Sequence, residues 1–236
     1  MAKPSISAFF PAYNEEANIG PLCQKTAAAL KKVAGKYEVI AVNDGSKDNT
    51  AKVVEALHKK DAHIRLVSHK VNAGYGAAVK TGFASAKMDW IFFTDGDGQF
   101  DVDEISKLLA HTKDHDLVVG YRIKRADPPH RLLNAWAWGT LVRNLFGLKG
   151  VRDIDCAFKI IRRDVFKKFK LETTGAMIST ELLVKSQKNG FRIKEVGVKH
   201  YARTAGVQTG AKLAVVARAF KELFSYFIKW QRHGYR

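Results

Sequence analysis

Cysteine and proline are scarce in this chain and acidic residues are outnumbered by basic ones, and each shortage excludes something. Two cysteines, Cys23 and Cys156, in 236 residues supply neither a disulfide framework nor a zinc-ligand spacing, so reduced thiols in the cytosol are the default. Five prolines and no biased tract leave no room for a Pro-rich linker or a low-complexity tail. No apolar run approaches the roughly 18 residues that a membrane span needs. The opening MAKPSISAFF has too short an apolar run for a secretory signal. Asp and Glu number 23 against 40 Lys and Arg, a net charge of +17. Such an excess favours polyanionic partners: nucleic acid, anionic lipid or phosphorylated ligands. The positive charge concentrates at 122–131 and throughout 212–236.

What is there is an ordinary globular balance, 46% hydrophobic and 27% charged, over a length that suits one large domain with a substantial core. Continuous apolar runs predict strands at Ser5–Phe10 (stopped by Pro11), Tyr37–Val42, Ile64–Ser68, Trp90–Thr94 and Asp116–Gly120. Between them, Asn14–Val33, Ala51–Lys60, Gly74–Ala86 and Val102–Thr112 have helical character. Strand and helix alternate at short spacing, which argues for an α/β fold with a mostly parallel, Rossmann-like central sheet flanked by helices. The second half continues with a helix at Arg131–Leu148, a strand at Ala157–Ile161, a helix at Thr180–Asn189 and a strand at Lys194–Val198. Lys212–Arg232 closes the chain as a strongly amphipathic, basic helix with Leu213, Val216, Ala217, Phe220, Phe224, Phe227 and Ile228 on its apolar face. The expected division is a catalytic domain at 1–210 followed by this helix at 211–236.

In open α/β sheets, ligands bind beyond the carboxyl ends of the strands. Three such ends carry chemistry here: Pro11-Ala12-Tyr13-Asn14-Glu15, Val42-Asn43-Asp44-Gly45-Ser46 and Asp95-Gly96-Asp97-Gly98-Gln99. Glu15, Asp44 and Asp95 are expected to converge on one rim, with Asp97 just beyond. Converging carboxylates repel unless a cation joins them, and hard oxygen ligands suit Mg²⁺ or Mn²⁺. Gly96 lets backbone and ligand approach closely. A lone Asp-x-Asp would equally serve as a capping turn; two further acidic strand ends favour a ligand site.

PAYNEE, NDGSKDNT, NAGYGAAVKTG and TDGDGQF, in this order and spacing, resemble the motifs of family 2 glycosyltransferases of the GT-A fold. The nearest subgroup is similar to polyprenyl-phosphate glycosyltransferases such as dolichyl-phosphate mannose and glucose synthases. The resemblance runs over roughly residues 5–210. It implies that Pro11, Ala12, Tyr13 and Glu15 line the nucleotide pocket, that Val42 and Asp44 hold the base and its sugar, and that Asp95 and Gly96 face the ribose or sugar. It implies that Asp97 and Gln99 bind a metal and, through it, the diphosphate. Asn43 replaces a first Asp that many members carry. Asn72, Gly74 and Lys80 of the third motif fall near the nucleotide. GYRIKR makes Arg122 a phosphate-binding candidate, and Arg131 starts the following helix. Asp153 to Lys159 resembles a looser Asp-x-x-Ser-Gly-Phe-Arg, and Arg203 opens an Arg-x-x-Gly. In that subgroup a Ser-Lys pair follows; here Gln208 and Thr209 follow Gly206 and the lysine stands later, at Lys212.

The implied reaction is inverting transfer of a hexose from GDP-mannose or UDP-glucose to a polyprenyl phosphate. Asp97 would act through the metal, and Arg122, Arg131 and Arg203 would hold phosphates. A phosphate acceptor is already anionic and needs no general base, whereas a hydroxyl acceptor does. Glu181 and Asp155 are the base candidates for a hydroxyl acceptor, soluble or polysaccharide, with helix-start duty as the bland role of Glu181. The basic amphipathic segments suit peripheral contact with an anionic membrane at the inner, cytoplasmic face; a homodimer interface or a core cover is the alternative use. The chain is expected to be either natively peripheral or part of a longer, membrane-spanning parent. No nucleic-acid partner is expected, because the acidic rim argues against a basic binding module.

Overall fold

The computed structural model describes residues 3–123, 129–203 and 213–233, with backbone alone at 129–131, 213–218 and 232–233. Its strands are β1 (Ser5–Ala12), β2 (Lys36–Asn43), β3 (Ile64–Ser68), β4 (Trp90–Phe93), β5 (Leu117–Arg122), β6 (Lys159–Arg162) and β7 (Ile193–Val198). Its helices are α1 (Glu16–Val33), α2 (Thr50–His58), α3 (Tyr75–Ser85), α4 (Ile105–Leu109), α5 (Pro129–Phe146), α6 (Ile178–Lys188) and α7 (Leu213–His233). The strands form one sheet in the order β3-β2-β1-β4-β6-β5-β7. The α/β expectation, with a mostly parallel sheet flanked by helices, holds. The apolar runs fill the centre because helices cover both faces: Ile6, Phe9, Phe10, Val39, Ile40, Ile91 and Phe92 are fully buried.

One strand is reversed. β6 runs antiparallel to both β4 and β5, with Lys159 opposite Phe93 on one side and Val119 on the other. The start of β6 therefore lies at the carboxyl end of β4. That places residues 153–158 at the same edge as the Asp95–Gln99 turn.

Several boundaries shift by a residue or two, and two of the differences have a clear physical reason. Pro11 does not end β1, which continues to Ala12 opposite Asn43 of β2. On the other side the β4 pairing ends at Phe9–Phe93. The missing N–H of Pro11 falls on that unpaired side, where it costs no ladder bond. The segment predicted as one helix at Val102–Thr112 begins instead as a 3₁₀ turn, Val102–Glu104, in which Asp101 accepts the Asp103 N–H; only the five residues of α4 follow as α-helix.

The amphipathic helices are partly docked. Along α5, Leu133 and Trp136 are exposed, while Val142 and Phe146 are buried. On α7 the docked face is Leu223 and Tyr226, with Phe227 and Trp230 half-buried against Phe146. Trp138 of α5 meets Phe220 edge-on at 5.4 Å. Phe220, Phe224 and Ile228, four residues apart, form an exposed apolar row. Side chains of Leu213, Val216 and Ala217, assigned above to the apolar face, lie outside the described residues, as do Lys124 and Arg125 and the stretch from Thr204 to Lys212.

Candidate active site

The β1 and β2 loops are stapled to each other. Asn14 adopts a left-handed φ of 55°, which Asn tolerates better than most residues. There its N–H donates to Ser46 Oγ and its Oδ1 accepts from Lys47 N. Glu15 N donates to Thr50 Oγ1, and Glu16 exchanges hydrogen bonds with the Asp48–Asn49 segment. PAYNEE and NDGSKDNT thus act as one rigid corner. Ser46, Asp48 and Thr50 hold that corner, a role the sequence alone did not assign. Pro11, Ala12 and Val42 are buried beneath it, and Tyr13 is exposed at its lip.

Asp44 is 3% exposed. Its Oδ1 accepts from Ala73 N and pairs with His69 Nδ1 at 2.7 Å, and its Oδ2 accepts from Gly74 N. Its carboxylate therefore anchors the 69–74 turn that leads into α3. Gly74 needs its positive φ of 97° there, and a Cβ on Gly76 would lie 2.5 Å from the Thr174 carbonyl carbon. The 172–175 loop packs directly on the start of α3 as a result. Lys80, later in that helix, donates to the Glu172 carbonyl.

The turn after β4 carries the densest negative charge. A Cβ on Gly96 would meet the Pro11 carbonyl oxygen at 2.6 Å, so glycine lets this turn lie against the end of β1. Asp95 Oδ1 accepts from the Tyr75 hydroxyl at 2.9 Å. Loss of water and the neighbouring Asp97 push the Asp95 carboxyl up to about 7, against the pull of Tyr75, Lys159 and Arg122. Asp97 Oδ1 accepts from Gln99 N. Gln99 is tied to the strand-like return after β7: its Nε2 donates to Tyr201 O and its carbonyl accepts from Tyr201 N. That return delivers Arg203, whose Nη2 lies 2.6 Å from Glu15 Oε1 and whose Nη1 lies 3.8 Å from Asp97 Oδ2. The structure thus brings Glu15, Asp97, Gln99 and Arg203 together.

Lys159, at the start of the reversed strand, is wholly buried and donates to the carbonyls of Ile154 and Cys156. Burial pulls its ammonium below the usual lysine range, opposed by Cys156 and by Asp155, Asp153 and Asp95. It is a fixed positive charge behind the acidic turn. Arg122 forks onto Asp153 through Nε and Nη2, at 2.8 and 2.7 Å, and does not use Nη1 there. Burial works against its charge, but Asp153 outweighs it and holds the guanidinium firmly protonated. The side chain of Arg131 lies outside the described residues.

Glu181 is 0% exposed. It accepts from Glu172 N, Thr173 N and Thr173 Oγ1, and pairs with Lys185 at 2.9 Å. The carboxylate pins the 172–174 loop, the same loop that seats the start of α3. Lys229 of α7 pairs with Glu172 from the other side.

Among the described residues no cluster of three or more His, Cys, Asp or Glu side chains is assembled for a metal. The donor set still fits a hard cation. Mg²⁺-type ions are commonly held by one or two carboxylates together with substrate phosphates rather than by an all-protein cage. Asp95 and Asp97 lie close enough for the charge of one to add to the effect of burial on the other. Asp97 and Gln99, beside Asp95, are the residues that would hold such an ion.

Comparison with known proteins shows the family and the fold. A dolichyl-phosphate beta-glucosyltransferase of Trichomonas vaginalis is 32% identical over 208 residues, covering 80% of this chain and 61% of the relative. A dodecaprenyl-phosphate galacturonate synthase of Rhizobium johnstonii is 32% identical, covering 86% and 60%. The chain thus spans about three fifths of the length of these two relatives. An uncharacterized protein of Methanocaldococcus jannaschii, 30% identical, is matched over 95% of its length and 89% of this chain. In fold, the chain is similar to glucosyl-3-phosphoglycerate synthase of Mycobacterium tuberculosis, crystallised with Mn²⁺, UDP and glucosyl-3-phosphoglycerate. There the TM-score is 0.74 at 20% identity, over 94% of this chain and 79% of that one. The profile described as Glycosyl transferase family 2 matches residues 7–170, and the chain belongs to that family.

Proposed function

We propose that this enzyme transfers a hexose, with inversion, from a nucleotide-sugar to a polyprenyl phosphate. Relatives named for dolichyl-phosphate glucose transfer, and fold neighbours crystallised with UDP or UDP-glucose, favour a uridine diphosphate sugar over GDP-mannose as donor. Pro11, Ala12, Tyr13, Glu15 and Val42 would form the nucleotide pocket, with Asp44 shaping it through the 69–74 turn. Asp95 and Gly96 would face the ribose or sugar. A divalent cation, Mg²⁺ or Mn²⁺, held by Asp97 and Gln99 would offset the charge that grows on the departing diphosphate. Arg203 stands beside Asp97 and Glu15, where its guanidinium can hold a phosphate in bidentate fashion. Arg122, with Arg131 beyond it, would orient the acceptor phosphate for attack from the opposite face.

The burial of Glu181 is the observation that carries the acceptor assignment. The described partners of that carboxylate are the 172–173 loop and Lys185 of its own helix, so it is poorly set to take a proton from a hydroxyl. An acceptor that arrives as an anion needs no such base. The chain would work peripherally on the cytoplasmic face of an anionic membrane. There Phe220, Phe224 and Ile228 could enter the interface beside exposed Lys221 and Lys229. No helix among the described residues is long and apolar enough to cross one.

Asp155 favours a second reading. It is exposed and contributes to the field at Tyr75, Arg122 and Lys159, so it could serve as base toward a hydroxyl acceptor. Incubating labelled UDP-glucose or GDP-mannose with a short polyprenyl phosphate, with Mn²⁺ or with chelator, separates the readings. Metal-dependent label in the organic phase is the expected result. Slow donor hydrolysis with no lipid product would instead support the hydroxyl acceptor.

A further inference from the structure

Tyr75 belongs to none of the roles assigned above, yet it touches the centre of the site. It is the first residue of α3 and its ring is 40% exposed at the rim. It sits between two glycines that are each fixed by something else. Gly74 N donates to Asp44 Oδ2, and Gly76 lies flat against Thr174. The start of α3 is therefore determined by Asp44 and the 172–175 loop, and the phenol hydroxyl is not needed to hold it. What the hydroxyl does hold is Asp95, through a single 2.9 Å hydrogen bond to Oδ1. Asp95 Oδ2 accepts no hydrogen bond among the described residues and is not enclosed.

We propose that Tyr75 is a positioning residue for the nucleotide-sugar. Its hydroxyl fixes the Asp95 carboxylate by one oxygen so that the other is presented to a hydroxyl of the donor. This inference rests on the donor reading given above. The bond suits the task chemically. A phenol is a neutral donor, so it orients the carboxylate without adding a full positive charge beside Arg203 and Lys159. A phenol carries its proton at neutral pH, so the hydroxyl remains a donor. Because both partners sit on short, clamped segments, the presented oxygen is preset before the donor arrives, which lowers the ordering cost of binding.

The test is a double-mutant cycle on binding, without turnover. Dissociation constants for UDP-glucose and GDP-mannose are measured by calorimetry for the parent, Tyr75→Phe, Asp95→Asn and the double variant, with no acceptor present and with chelator or Mn²⁺. Steady-state donor and acceptor KM values and thermal melts accompany them. Tyr75→Phe should melt with the parent, bind the preferred donor roughly tenfold more weakly, as expected for losing a hydrogen bond to a charged acceptor, and leave the acceptor KM unchanged. Adding Tyr75→Phe to Asp95→Asn should cost nothing more. Losses that multiply in the double variant, or unchanged donor binding in Tyr75→Phe, would overturn the role of Tyr75. A parent that binds and turns over neither nucleotide-sugar would remove the donor reading, and this inference with it.

Discussion

Arg203 reaches back 188 residues to Glu15, with Nη2 at 2.6 Å from Oε1, and sets its other terminal nitrogen 3.8 Å from Asp97. One guanidinium thus ties the first loop of the sheet to the acidic turn of the fourth strand. Glu15 is nearly buried, so removing its partner leaves a carboxylate that, among the described residues, keeps its hydrogen bond from Asn18. Arg203→Ala should lower both stability, by about 1–3 kcal/mol, and donor affinity. Arg203→Lys should recover the melting temperature better than the donor KM, because it keeps the charge but loses the fork. Melts and donor kinetics on the two variants check this.

A divalent cation placed beside Asp95 should bind in a pH-dependent way. Its carboxyl is raised, to about 7, first by loss of water and then by Asp97. The metal-free protein therefore holds a proton there that the unfolded chain loses near its ordinary value. Folded protein binding the extra proton means that the contribution of Asp95 to stability falls as pH rises from about 4 to about 7. A cation held beside it by Asp97 and Gln99 would favour its ionised form, so Mn²⁺ affinity should rise over the upper part of that range, with proton release below it. Calorimetry in two buffers of different ionisation enthalpy reads the protons directly. Asp97→Asn should shift the transition to lower pH by removing the like charge, while weakening the metal itself.

Glu181 should behave as a structural anchor. Glu181→Ala leaves Lys185, 4% exposed in its side chain, without its 2.9 Å partner and frees the 172–174 loop, a loss on the order of 3–5 kcal/mol for a buried pair broken on one side. Glu181→Gln should retain turnover to within a few-fold. If Glu181→Gln instead abolishes transfer while melting temperature and donor binding stay intact, the acceptor is a hydroxyl and Glu181 its base.

The exposed row on α7 is open to a direct check. Phe224→Asp and Trp136→Asp alter side chains that are 54% and 65% exposed and should leave the melt within about 0.5 kcal/mol of the parent. Both should reduce co-flotation with vesicles containing anionic lipid, and added salt should weaken binding of the parent. Leu223→Ala, on the docked side of the same helix, should instead cost about 2–5 kcal/mol. Flotation unchanged in both Asp variants would assign the row to another partner, such as a second copy of the chain.

Where one physical signal dominated, the sequence was legible. Doubly covered strands announce themselves as unbroken apolar runs, as Trp90–Phe93 does at the centre of the sheet. The three acidic strand ends were visible for the same reason, since each follows such a run. What could not be read were consequences of pairing. Nothing local says that Lys159 is buried behind Asp95, because that follows from β6 being reversed. Nothing local marks Tyr75 either, since its partner lies across the sheet. The docked side of α7, with Leu223, Tyr226 and Trp230, adjoins the exposed apolar row, and periodicity cannot tell which of two adjoining faces meets the protein.

The reversed strand also bears on how the enzyme comes into being. As a chain leaves the ribosome, β1 to β4 can pair in turn, each parallel neighbour being reached by a helical crossover. β5 cannot join next, because β6 must lie between it and β4. Until residue 159 has been made, β4 is an open edge carrying Phe92 and Phe93, a segment prone to wrong pairing. Arg203 comes later still. A nascent chain therefore holds its acidic turn half-built, and gains its site and its finished sheet only once residues 159–203 have been made.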